Sequence, residues 1–163
     1  MKEYLIEYLA SEKLFSLTAI LIGLGSILLS VYFLVFQPQH KSFALTLLVI
    51  GALEAGIFSV NYFRADKRNA EKISVFESDP VAQAEFQKKR AGNILTAFFF
   101  LKLFYATIFV IAVVSLSKFN VSTTLAGVLI ALILHAGLAA TIDSFGELHT
   151  KKYLKQLNLE QKE

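Results

Sequence analysis

The chain of 163 residues contains no cysteine. That excludes disulfides, thiolate catalysis, thiolate metal sites and quinone-linked thiol oxidation. Its three histidines, His40, His135 and His149, show no HxxH or HxxxH spacing. No metal site is expected from them, and no haem between two of them, because only His135 falls in an apolar stretch. Acidic residues are missing from two short connections, 37–41 and 117–120. So few residues cannot build an outward-facing catalytic or recognition domain. A basic leader region is missing too. Glu3, Glu7 and Glu12 precede the first apolar stretch, which is longer than the 7–15-residue core of a signal peptide. It reads as a retained span.

What the chain has in abundance is apolar sequence. Hydrophobic residues make up 55%, and the mean hydropathy is +0.57. Four stretches, 14–36, 42–63, 93–116 and 121–142, each match the ~20 residues that cross a hydrocarbon core. The expected fold is an all-α integral membrane protein with four transmembrane helices in an up-down bundle. The spans take up more than half of residues 1–163, which leaves one membrane domain and no separate soluble one.

Lysine and arginine set the orientation. Two lie before the first span, seven in the middle segment (Arg64, Lys67, Arg68, Lys72, Lys88, Lys89, Arg90) and four in the tail (Lys151, Lys152, Lys155, Lys162). The other two connections hold one each, Lys41 and Lys118, and Lys102 lies within a span. A split of thirteen against two predicts that both termini and the middle segment are cytoplasmic. A bacterial cytoplasmic membrane is the expected location.

Residues 1–12 suit a short interfacial helix, with Leu5 and Leu9 on one face and Tyr4 and Tyr8 beside them, or a plain helical start to the first span. The segment 64–92 reads as a cytoplasmic helical hairpin that extends spans two and three. Asp79 followed by Pro80 predicts a helix start, with the turn within 76–79. Ala70, Ile73 and Phe76 are expected to face Val81, Ala84 and Phe86, and Asp66 to reach Lys89 or Arg90. Residues 143–163 read as a cytoplasmic helical tail.

Three ionisable residues lie inside spans, at an insertion cost of about 2.5–3.5 kcal/mol each. Counted from the inner span ends, Glu54, Lys102 and His135 fall at nearly one depth. A Glu54–Lys102 ion pair with His135 adjacent is expected. At ~4 Å and an effective dielectric near 20 such a pair gains about 4 kcal/mol. Gly23, Gly25 and Ser26 leave room at a similar level. Asn61 and Asp143 mark a cytoplasmic entrance to this cluster. Small residues at Gly51/Ala55, Ala52/Gly56 and Gly127/Ala131 permit close helix approach, either within the bundle or between copies.

Two function classes fit. One is an oligomeric proton or ion channel or transporter subunit that uses Glu54, Lys102 and His135. The other is a non-enzymatic membrane partner, such as an accessory, anchoring or toxin-immunity protein. An enzyme is less expected, because no nucleophile or carboxylate pair shares one site. No cofactor and no nucleic acid is expected. The expected partners are membrane lipids and either further copies of the chain or another membrane protein.

Overall fold

A computed structural model describes residues 2–160. It consists of four long helices: α1 (Lys2–Phe36), α2 (Lys41–Ser78), α3 (Pro80–Lys118) and α4 (Thr123–Glu160), with a single 3-10 turn at Pro38–His40. There is no strand among the described residues. All four helices are long and apolar enough to cross a membrane.

Their length carries the first structural argument. Helices of 35 to 39 residues span roughly 52–58 Å at 1.5 Å per residue. A hydrocarbon core is only about 30 Å thick. The excess lies at one end, because the short connections at Pro38–His40 and 119–122 close the other. At the long end one residue, Asp79, separates α2 from α3. Its carboxylate accepts from the Ala82 amide at 3.1 Å, and Pro80 occupies the first turn of α3. The cap satisfies an otherwise orphan amide, and proline there loses no hydrogen bond.

The part of the bundle near the short connections is joined by small residues. A Cβ on Gly23 would lie 2.8 Å from the Ala55 nitrogen and the Gly51 oxygen, and one on Gly51 would lie 2.6 Å from the Gly23 oxygen. The backbones of α1 and α2 therefore touch. Buried Ser30 donates to the Ala44 carbonyl at 2.6 Å across the same seam. Gly127 of α4 packs on Ser42 and Phe43 of α2. The Gly51/Ala55 and Gly127/Ala131 faces are thus used inside the chain. Gly25 and Gly56 face open space.

The helix extensions toward the α2–α3 turn build a second core. Leu5, Tyr8 and Leu9 of α1, Phe76 of α2, Ala91 of α3, and Tyr153 and Leu157 of α4 form one buried cluster. The rings of Tyr8 and Tyr153 stack at 4.4 Å. Burial raises both phenols, Tyr153 to about 12. Residues 2–12 are therefore the continuous start of α1, packed on the other helices, and not a separate interfacial helix. The tail likewise continues α4 through Glu160; residues 161–163 of the expected tail lie outside the described residues.

The expected pairing across the turn is corrected in the same way. Phe76 and Ala84 are buried, but Val81 and Phe86 are 70% and 60% exposed, and Ala70 is exposed. α2 and α3 hardly pack on each other; α3 leans on α4, and α2 on α1 and α4. The apolar stripe of α2 serves a four-helix core instead of a two-helix one.

Candidate functional site

One layer fixes the levels of the helices. The Phe15 ring packs edge-on to Phe58 at 5.8 Å and to Phe98 at 6.5 Å. Gly146 sits against both Phe98 and Phe15, where a Cβ would come within 2.7 Å of Phe98. Phe98 is thus level with Gly146, four residues past the end expected for the fourth span.

The three ionisable residues of the apolar stretches do not form one cluster. Lys102 hydrogen bonds and pairs with Glu147, not with Glu54. Glu147 also holds Lys151 at 2.5 Å. The hydrogen bonds from Lys102 and Lys151 hold its carboxyl below the usual range. Glu54 pairs with His135, with Oε2 and Nδ1 3.9 Å apart. That is beyond hydrogen-bond distance, and neither atom has another protein partner.

Side-chain direction explains the exchange. Helical side chains tilt toward the helix N-terminus. In α3 that end is the α2–α3 turn, so Lys102 leans toward the turn. In α2 and α4 it is the end with the short connections, so Glu54 leans away from Lys102 while Glu147 leans toward it. The loose contact between α2 and α3 separates Glu54 from Lys102 further.

Asn61 and Asp143 also part company. Asp143 is 7% exposed and lies beside Tyr105, and its Oδ2 has no hydrogen-bond partner in the protein. Asn61 lines a cavity of about 540 Å³ in the half of the bundle that ends at the α2–α3 turn. All four helices contribute to it. Phe15, Phe58, Ile94, Phe98 and Phe145 give it an apolar part, and Glu12, Lys13, Arg68, Lys72 and Arg90 a charged part, with His149 beside them.

An ion network sits in this charged part. Glu12 accepts from Arg90 at 2.8 Å through Oε1 and from Lys72 at 3.4 Å through Oε2, which ties α1 to α2 and α3. Burial holds the Lys72 ammonium below the usual lysine range, and the charges of Arg90 and Arg68 push the same way. Lys13 pairs with Asp66 at 2.7 Å, and that hydrogen bond raises the lysine. Asp66 therefore reaches α1 and not Lys89 or Arg90. Further out, Lys2 pairs with Glu77 and Lys152 with Glu7, each at 2.5 Å.

Sequence reasoning missed the cavity and the role of Glu12. The available signal was the run of acids at the start of α1, Glu3, Glu7 and Glu12, against the basic residues of segment 64–90 and the tail. Among the described residues no group of three or more His, Cys, Asp or Glu side chains is arranged to hold a metal ion.

The fold defines a four-helix bundle whose helices are compatible with membrane spanning. No family model matches the chain, and none of the curated proteins or solved structures does either.

Proposed function

We propose that this chain is a non-enzymatic protein of the bacterial cytoplasmic membrane that holds a ligand in the cavity at its inner end. Both termini and the α2–α3 turn face the cytoplasm, as the thirteen-to-two distribution of basic residues supports. The cavity carries the reading. Its volume of about 540 Å³ falls within the ~300–1,000 Å³ of ligand sites, and its mixture of aromatic and charged lining is typical of them. As an accessory or anchoring protein, the chain would present this cavity and the exposed Ala52/Gly56 face to a membrane partner or a second copy. The test is native mass spectrometry of the detergent-purified chain. Wild type retains a non-protein mass, and Ser11→Trp, which fills the cavity, loses it. A wild-type chain with no bound mass, whatever lipids are supplied, sinks the proposal.

A second reading, a proton-coupled transporter subunit, is favoured by one observation. Glu54 and His135 face each other beyond the cavity with atoms unmatched by protein partners. Such groups inside a membrane are costly to keep. Proton flux into reconstituted vesicles tests it: wild type conducts with a steep dependence between about pH 5 and 8, and Glu54→Gln loses that dependence. Vesicles that pass no protons at any pH remove this reading.

A further inference from the structure

We propose that the cavity binds an anionic amphiphile, with a phosphate-class headgroup at Arg68, Lys72 and Arg90 and an acyl chain against Phe15, Phe58 and Phe98. The inference rests on the reading of the cavity as a ligand site and names the ligand's chemistry.

Charge is the first argument. Four basic side chains line the cavity, Lys13, Arg68, Lys72 and Arg90, against one carboxylate, Glu12. Asp66 lies outside the lining and occupies Lys13. Glu12 alone serves both Lys72 and Arg90. Arg68 donates to a neutral acceptor, the Asn61 carbonyl, at 3.1 Å, and has no carboxylate partner among the described residues. Two cations thus share one anion, and a third has none. Guanidinium groups suit phosphate oxygens through paired N–H donors.

Position is the second argument. The charged lining lies at residues 12–13, 68–72 and 90, just past the inner ends of the apolar stretches. The aromatic lining, Phe15, Phe58 and Phe98, lies just inside them. A molecule that fills the cavity has its polar end at headgroup level and its apolar end in the hydrocarbon layer. Basic residues at that level attract the anionic lipids of the cytoplasmic leaflet. The weak packing of α2 on α3 leaves a side from which a chain can enter out of the bilayer.

Glu12 then acts as an internal counter-ion that holds the cations until the headgroup arrives. A purely structural Glu12 would have no such relation to a ligand.

The test titrates three probes into the full chain in a neutral detergent, with native mass spectrometry as the readout. The probes are lysophosphatidylglycerol, the monoacylglycerol of the same chain length, and inorganic phosphate. The anionic lysolipid should bind at least tenfold more tightly than the neutral one. Arg68→Gln and Lys72→Gln should each weaken it by about fivefold and leave the neutral lipid unchanged. Glu12→Gln should strengthen it. Added salt should erode the difference. Equal binding of both lysolipids, lost together in Ser11→Trp, overturns the headgroup assignment and leaves the ligand cavity standing. Inorganic phosphate that binds as tightly as the lysolipid overturns the acyl-chain assignment and points to a soluble anion. Lysolipid binding that Ser11→Trp does not alter, or no binding of any probe, overturns both the inference and the cavity reading. The charge variants are read only where their melting temperature stays within a few degrees of wild type. Should Glu12→Gln fall outside that window, the Arg68→Gln and Lys72→Gln arms decide alone.

Discussion

Lys102 reaches toward the α2–α3 turn to Glu147, while Glu54, at a similar level of the bundle, turns the other way to His135. Two residues that look like natural partners are separated by the directions of the helices that carry them.

A stability cycle tests that separation. Lys102→Met and Glu147→Gln should couple by about 0.5–3 kcal/mol, as contacting charged residues do. Lys102→Met and Glu54→Gln should be additive to within about 0.5 kcal/mol. Thermal unfolding in one detergent measures both. Coupling in the second cycle and none in the first would restore the Glu54–Lys102 pair.

Glu147 also predicts a pH effect. Its carboxyl titrates below its ordinary value of 4.5 in the folded chain because Lys102 and Lys151 bind the charged form. The unfolded chain takes up that proton first as pH falls. The stabilisation is therefore full above about pH 4.5 and is lost as pH falls through the lower folded value. Melting temperature followed from pH 7 to pH 3 should drop in wild type. In Glu147→Gln the slope in that acid window should be smaller. Identical slopes would mean that the carboxylate is unpaired in solution.

The seam between α1 and α2 makes a packing prediction. Gly51→Val places side-chain atoms where the Gly23 carbonyl already lies 2.6 Å from an added Cβ. Overpacking of this kind costs about 1–3 kcal/mol, and more where backbone must move. Gly56→Val, on open space, should change stability by less than about 0.5 kcal/mol. A loss at Gly56 of the same size as at Gly51 would show that the outward face is covered, as by a second copy.

Orientation is tested in the cysteine-free background with single cysteines at two exposed positions, Gln39→Cys and Ser78→Cys. An impermeant thiol reagent added to intact cells should label the first and spare the second. Labelling at Ser78→Cys from outside would invert the topology.

The four long apolar helices and the turn at Asp79 were legible in the sequence because their causes are local. An apolar run of about 20 residues answers to a bilayer wherever its neighbours lie. Asp79 caps its own helix and Pro80 starts it, whatever packs around them. The contrast in basic residues was equally visible, since it is a count along the chain. What the tertiary structure decided was which side chains meet. Lys102 found Glu147 because α3 and α4 run in opposite directions and their side chains tilt toward each other. Glu12 joined Lys72 and Arg90 across three helices, residues 60 and 78 positions away in the chain. The cavity exists because α3 leans on α4 and leaves α2. Depth can be counted residue by residue from a span's end. Rotation, tilt and the choice of neighbour depend on packing among all four helices at once.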